Sequence, residues 1–249
     1  MKISVITPSI RPELLGIVSK CLDRQTEKDF EWLIGSREKM FDDIDPIIRH
    51  NSSYRFITEP NKRDGDYYNL NKCWNRLFSQ AKGDLIVSIV DGLWFPPDML
   101  EKLWNHYEAN PRACVGAIGH QYLQTENGKP EHLVWRDPRV RTDFGTFYEI
   151  SPRDLELCIA SLPRAGIVDA GGVDEEFDKY AALSEKEMCF RMEKLGYKFY
   201  LDQSLEYRAI YHPRLNSKWD DRYNAGCEYF SECIKQIGEG KRAKLDFIK

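Results

Sequence analysis

The residues with most chemistry to offer are carboxylates that stand where the chain changes direction. Asp91 follows the apolar run at 85–90 (LIVSIV) and precedes Gly92. A carboxylate ending such a strand faces the ligand crevice of an open parallel sheet, where it could hold a divalent cation against a diphosphate. Asp-Gly in this place also reads as an ordinary strand-ending turn. A second acidic cluster, GGVDEEF at 171–177, leads to LSEKEM at 183–188, with Arg191 behind it. Ser184 suits an N-cap, and acids in the first turn complement the helix dipole. Glu187 and Arg191 stand four apart, which predicts an ion pair on one helix face. Glu185 lies nearer the helix start and is freer to point into a cleft and act as a base. His212 closes AIYHP; a neutral imidazole beside Asp91 could complete a metal site, or the residue is a structural histidine.

Positioning these groups requires a regular frame, and the first half of the chain supplies one. Residues 3–7, 30–34, 54–58 and 85–90 read as strands, short runs rich in β-branched and apolar side chains. Between them, Leu14, Leu15, Val18, Cys21 and Leu22 recur at helical spacing after Pro12, as do Leu70, Cys73, Trp74 and Leu77. A weaker helical stretch separates the second and third strands. Strand and helix alternating in this way predict an α/β fold with a mostly parallel sheet, and 85–90, the most continuous strand, is its expected centre. Pro96 and Pro97 open another helix, and 114–118 is a further strand. Residues 136–148 (RDPRVRTDFGTFY) show no clear period, as specificity loops often do not. A small-residue stretch at 165–172, a helix at 184–195, strands near 197–201 and 206–210 and a helix around 222–237 complete the pattern.

Composition narrows the function classes. The chain has 249 residues, with 36 Lys and Arg against 40 Asp and Glu, a net charge of −4 that offers no general attraction to nucleic acid or anionic lipid. The longest apolar run falls far short of the roughly 20 residues of a membrane span. The polar N-terminus and seven cysteines without a C-x-x-C pair predict a soluble, cytoplasmic protein with reduced thiols. Neither G-x-G-x-x-G nor G-x-x-x-x-G-K-[ST] occurs, so the Rossmann dinucleotide and P-loop readings lack their motifs. A nucleotidyltransferase would need a glycine-rich loop after the first strand, where TPSIRPELL stands instead. The basic end of the chain, Lys235, Lys241, Arg242, Lys244 and Lys249, reads as a solvated tail.

Five segments in collinear order resemble the GT-A glycosyltransferases of the family 2 type. ISVITPSIRPELL is similar to that family's opening strand and nucleotide-facing loop. QAKGDLIVSIVDGLWFPPDMLEKLW resembles its central strand, aspartate motif and following helix. GGVDEEF, SEKEMCFRMEKLGYKF and YHP resemble its acceptor-side loop, catalytic-base region and late histidine. The resemblance covers about residues 2–213. It implies a GT-A domain at 1–213, with a nucleotide-sugar half to about 119 and an acceptor half at 120–213, followed by a helical extension at 214–249.

The implied activity is metal-dependent, inverting transfer of a sugar from a nucleotide-sugar donor, a UDP-sugar foremost, to an acceptor hydroxyl. Thr7, Pro8, Ser9, Arg11, Ser36 and Asp64 would line the nucleotide, and Arg63 and Lys72 would support the phosphates. Asp91 and His212 would hold Mn2+ or Mg2+, and Glu185 would be the base. Trp135, Arg136 and Glu187 would lie on the acceptor side, where Arg139, Arg141, Phe144, Phe147 and Tyr148 continue a basic and aromatic stretch. A glycan, a lipid-linked glycan or a modified nucleobase fits that surface, nucleic acid entering only as an acceptor. The family's second-strand aspartate is replaced by Gly35-Ser36-Arg37, its D-x-D by Asp91-Gly92-Leu93, and its E-D pair by Ser184-Glu185. The single carboxylate at 91 keeps one alternative open, a GT-A domain that binds nucleotides or sugars without catalysis.

Overall fold

The first strand shows how the sheet is built. Ile3–Pro8 (β1) is buried along its whole length, and its side chains alternate between two cores. Val5 packs on one face of the sheet and Ile6 on the other. In the computed structural model, which describes residues 1–66, 69–124, 130–180, 183–211 and 219–247, alternating elements follow. They are Leu15–Asp23 (α1), Phe30–Ser36 (β2), Phe41–Ile48 (α2), Tyr54–Thr58 (β3), Leu70–Gln80 (α3) and Leu85–Ile89 (β4). Leu93–Trp94 (β5), Met99–Ala109 (α4), Ala113–Gln124 (β6), Pro130–Trp135 (β7) and Phe147–Glu149 (β8) come next. Ile159–Pro163 (β9), Arg164–Ala170 (α5), Ser184–Lys194 (α6), Lys198–Ile210 (β10) and Trp219–Gly238 (α7) complete the chain.

One ten-stranded sheet runs β3-β2-β1-β4-β9-β6-β10-β5, with β7 on β6 and β8 on β10. β3, β2, β1 and β4 are mutually parallel, as their β-α-β order requires, and place four carboxyl ends on one edge. β9 lies antiparallel between β4 and β6, a strand that sequence periodicity does not announce. The two strands expected at 197–201 and 206–210 are one, interrupted by a bulge between Asp202 and Glu206. The small-residue stretch at 165–172 contains α5. Helices α1, α2 and α4 cover one face of the sheet, and α3, α5 and α6 the other.

The end of the chain is part of this frame. α7 packs Phe230 and Cys233 against Phe177 and Leu183, beside the start of α6. Beyond it the chain returns to α5, where Leu245 N–H donates to the Ala170 carbonyl at 3.0 Å. Gly171 makes that approach possible: its φ is +80°, and a Cβ there would lie 1.5 Å from the Leu245 oxygen. Arg242, expected in solvent, is instead largely buried and donates to Glu187 at 2.7 Å and to Asp174. Glu187 also accepts from Arg191 at 2.8 Å, both side chains being 0% exposed. Arg191 spends further N–H groups on the carbonyls of Ala170 and Gly172, and Asp174 accepts from the Tyr229 hydroxyl. Buried charges are tolerated only when paired this completely. Glu187→Ala takes the carboxylate from Arg191 and leaves Arg242 with Asp174 alone, and is expected to cost about 3–5 kcal/mol in urea unfolding; a loss below about 1 kcal/mol would show that the network is not a structural anchor.

Candidate active site

At the carboxyl edge of the parallel strands, the loop after β1 meets the end of β4. Asp91 is buried, with 5% of its side chain exposed, and both of its oxygens are engaged. Oδ2 accepts from Ser9 Oγ at 2.8 Å, and Oδ1 accepts from the Arg11 guanidinium. Arg11 N–H in turn donates to Ser9 Oγ at 3.1 Å. Ser9 is fixed from the other side, its N–H on the Gly35 carbonyl at 2.8 Å and its own carbonyl accepting from Ser36 Oγ at 2.6 Å. Gly92 takes a φ of +72° to turn the chain, and its carbonyl accepts from Ile210 N–H at 3.2 Å. The end of β10 therefore lies beside Asp91. His212, two residues further, falls outside the described residues.

Glu185 stands on α6, which packs on one face of the same sheet. It occupies the first turn of α6, behind Leu183, whose φ of +80° is the one left-handed non-glycine conformation among the described residues. Such a conformation costs of order 1–3 kcal/mol and persists only where packing enforces it, here by burial against Phe177 and Phe230. Burial raises the Glu185 carboxyl above its ordinary value, and Glu156 adds to the effect; Lys186 opposes it. The charge of Glu185 is felt by the Cys158 thiol, which burial pushes up to about 11. The carbonyl of Cys158 accepts from Val90 N–H at 3.0 Å, next to Asp91. The two carboxylates thus stand on different elements, one ion-paired and one raised by burial.

The remaining expected site residues have different surroundings. Thr7 is fully buried: its hydroxyl donates to the Ile89 carbonyl at 2.6 Å and accepts from Trp32 Nε1 at 2.9 Å, tying three strands together, so its side chain does not line a ligand. Pro8 is buried within β1. The Ser36 hydroxyl is fully buried and committed to Ser9 and the Met40 sulfur, which corrects its expected role as a base contact. Lys72, 5% exposed, bonds Asp66 and faces Asp178 at 3.8 Å; it closes a buried ion cluster and offers no free charge to phosphate. Arg63 lies between Asp66, Glu175 and Glu176, and Asp64 is in an exposed turn. Glu187 forms the ion pair that its spacing predicts, and this corrects its acceptor-side assignment, because a carboxylate at 0% exposure cannot meet an acceptor. Trp135 and Arg136 are exposed at the end of β7.

The aperiodic loop has its own order, which sequence reasoning missed. Asp137 is buried and accepts from Gly119 N–H at 3.1 Å and from Arg139 Nε at 2.9 Å. Burial works to raise its carboxyl, but the Arg139 guanidinium outweighs that and holds it low. The signal was the D-P-R spacing, too short to stand out without the turn that closes it. Lys186 was also missed; it reaches the Arg153 carbonyl at 2.9 Å and Glu156 at 2.7 Å, bridging α6 to the segment before β9.

With this geometry in place, comparison with known proteins is decisive for the family. The model of glycosyl transferase family 2 matches residues 13–159, more than half of the chain. The chain belongs to glycosyl transferase family 2. Asp91 lies inside the matched stretch and Glu185 beyond it. The chain's GT-A fold is similar to that of S. aureus TarS 1-349 in complex with UDP, with a TM-score of 0.61 and 14% identity over 96% of this chain and 65% of that one. It is also similar to GalNAc-T7 with UDP, GalNAc and Mn2+, with a TM-score of 0.63 and 14% identity over 86% of this chain and 44% of that one. The chain spans less than two thirds of the length of either. No curated protein matches it in sequence. Among the described residues no helix is long and apolar enough to cross a membrane.

The electrostatics of Glu185 give a direct check. A carbon-13 titration of its carboxyl is expected to show a midpoint above the ordinary 4.5, rising further in Lys186→Met, which removes the opposing charge. A midpoint at or below 4.5, or a fall in the variant, would contradict the assignment of burial as the cause.

Proposed function

We propose that this glycosyltransferase takes a nucleotide-sugar donor, a UDP-sugar foremost, on the edge formed by the ends of β1, β2 and β4, and inverts the anomeric centre in a single displacement. The observation that carries the reading is Asp91 held at that edge, with a second and unlike carboxylate, Glu185, in the first turn of α6. Asp91 is bound by the Arg11 guanidinium and the Ser9 hydroxyl, whereas the Glu185 carboxyl is raised by burial above its ordinary value, the direction that suits a base. UDP in both structural neighbours supports the choice of nucleotide. Glu185 takes the proton of the acceptor hydroxyl as that oxygen attacks the anomeric carbon, and the diphosphate departs on the opposite face. The exposed Trp135 and Arg136 lie on the acceptor side, where the aromatic face can stack on a saccharide or other hydroxyl-bearing group and the guanidinium can grip an anionic one. The domain division at residue 213 belongs to the same reading, with α7 and the chain end serving to fix α6.

Mn2+ in the GalNAc-T7 structure raises the question of a divalent cation. Mg2+ and Mn2+ ask for an octahedron of oxygens, usually including one or two carboxylates. Here Asp91 has both oxygens taken, one of them by a positive charge, and Leu93 brings no donor atom. Among the described residues no group of three His, Cys, Asp or Glu stands together as a metal site. Among the described residues this donor set does not fit the ion, His212 lying outside them, and the steps above are carried by the chain's own groups.

Glu185→Gln keeps the shape of the side chain and removes the base. It is expected to lower sugar transfer by about 10²–10⁴-fold while UDP affinity stays within about twofold. In the wild type, the acid limb of the rate profile should lie above the ordinary glutamate value, because the rate needs the ionised carboxylate and falls as pH drops through the raised pKa. Loss of UDP binding with intact turnover of what still binds would remove Glu185 from this role.

A further inference from the structure

The edge that would receive a diphosphate carries several cations, and they differ in how much negative charge surrounds them. Lys72 faces Asp66 and Asp178, and Arg63 faces Asp66, Glu175 and Glu176. With Lys179, which also pairs with Glu176, three positive charges share these four carboxylates, so none of them is left uncompensated for a diphosphate. Arg37 pairs with Glu59 at 3.4 Å. Arg11 faces a single carboxylate, Asp91, so that its pair is neutral, and 35% of its side chain is exposed against 5% of its partner's. One side of the guanidinium is thus held by the protein while the other is open. A guanidinium carries five N–H donors in a rigid fork, and among the described residues Arg11 spends one of them, on Asp91. Its backbone is fixed as well, through Ser9 Oγ, which bonds both Arg11 N–H and Asp91, and through the Ser36 hydroxyl on the Ser9 carbonyl.

We infer that Arg11, buttressed by Asp91 and Ser9, is the positive charge that receives the donor's diphosphate, in the place where the fold family leads one to expect a divalent cation. This rests on the reading of the edge as a nucleotide-sugar site. Asp91 then serves as a positioning residue: it aims the guanidinium and keeps its charge in place before substrate arrives. In the transfer step the acceptor oxygen forms its bond to the anomeric carbon, and the acceptor proton passes to Glu185. The bond from the anomeric carbon to the β-phosphate oxygen breaks, and its electron pair stays on that oxygen, where Arg11 N–H groups stabilise it. The donor set around Asp91 and the open fork of Arg11 account for each other: a cation drawn to Asp91 would have to displace the guanidinium from it.

The test is calorimetric titration with UDP, GDP, CDP and dTDP, each in EDTA and in Mn2+, on wild type, Arg11→Lys, Arg11→Met and Asp91→Asn. Thermal unfolding establishes that each variant is folded, and Arg11→Lys stands in if Arg11→Met is not. Wild type is expected to bind one nucleotide equally well in EDTA and in Mn2+. Arg11→Met should weaken that binding about 10- to 100-fold, the effect of losing charge-assisted hydrogen bonds, with Arg11→Lys between. Asp91→Asn should still bind without regard to EDTA. Binding that demands Mn2+, survives Arg11→Met and disappears in Asp91→Asn would overturn the role of Arg11 and leave the donor site standing. No binding of any of the four by folded wild type would overturn the donor site itself.

Discussion

A carboxylate taken out of water must be paired, and Asp91 meets that requirement with two groups from the far side of the sheet edge. Ser9 and Arg11 follow β1 while Asp91 follows β4, and the bonds between them span some 80 residues of sequence. The contact is possible because β1 and β4 are adjacent and parallel, so both chains leave the sheet in the same direction. It fixes the loop after β1, and through the Ser9 carbonyl it fixes the end of β2 at Ser36. The carboxyl edge is therefore one hydrogen-bonded unit and not a set of separate loop ends. Preorganisation of this kind is what a site needs if it is to meet charge on a leaving group without reorganising during the reaction.

The second carboxylate obeys the same constraint differently. Glu185 has little pairing and responds by moving toward its neutral form, while two residues later Glu187 is paired twice, with Arg191 and Arg242. The two lie on one helix turn with opposite fates because Glu187 meets the guanidinium groups of Arg191 and Arg242, whereas the charges acting on Glu185 are those of Lys186 and Glu156, which oppose each other. The network around Glu187 holds α6, and α6 holds Glu185. A chain end that reads as a solvated basic tail thus contributes through Arg242 to the placement of a group on the other side of the helix.

Much of this was legible in the sequence, for identifiable reasons. The strands at 3–7, 30–34, 54–58 and 85–90 are short runs rich in β-branched and apolar side chains, and the helices between them repeat at their own period. Glu187 and Arg191 could be paired from their spacing because the interaction is local. β9 could not: CIASLP is short and rich in small residues, and its antiparallel place between β4 and β6 is set by tertiary packing. The break expected within β10 is a local feature, with Ser204 N–H turned onto Asp202 Oδ1 at 2.8 Å. Among the site residues, Asp91 and Glu185 were readable as chemistry-bearing types at element ends. Ser36 and Thr7 were misjudged because a hydroxyl at a strand end is equally able to face a ligand or to tie strands together. Only the position of Trp32 and the Ser9 carbonyl decides that. The pairing of Arg11 with Asp91 has no local signature at all.

The central claim is that the edge around Asp91 is where the donor binds, and an amide NMR titration with UDP-, GDP-, CMP- and dTDP-sugars tests it most directly. The account predicts that one of them shifts the amides of Ser9, Arg11, Ser36 and Asp91 together, with the far ends of the same strands unmoved. Shifts confined to another surface, with those four amides unchanged, would contradict it.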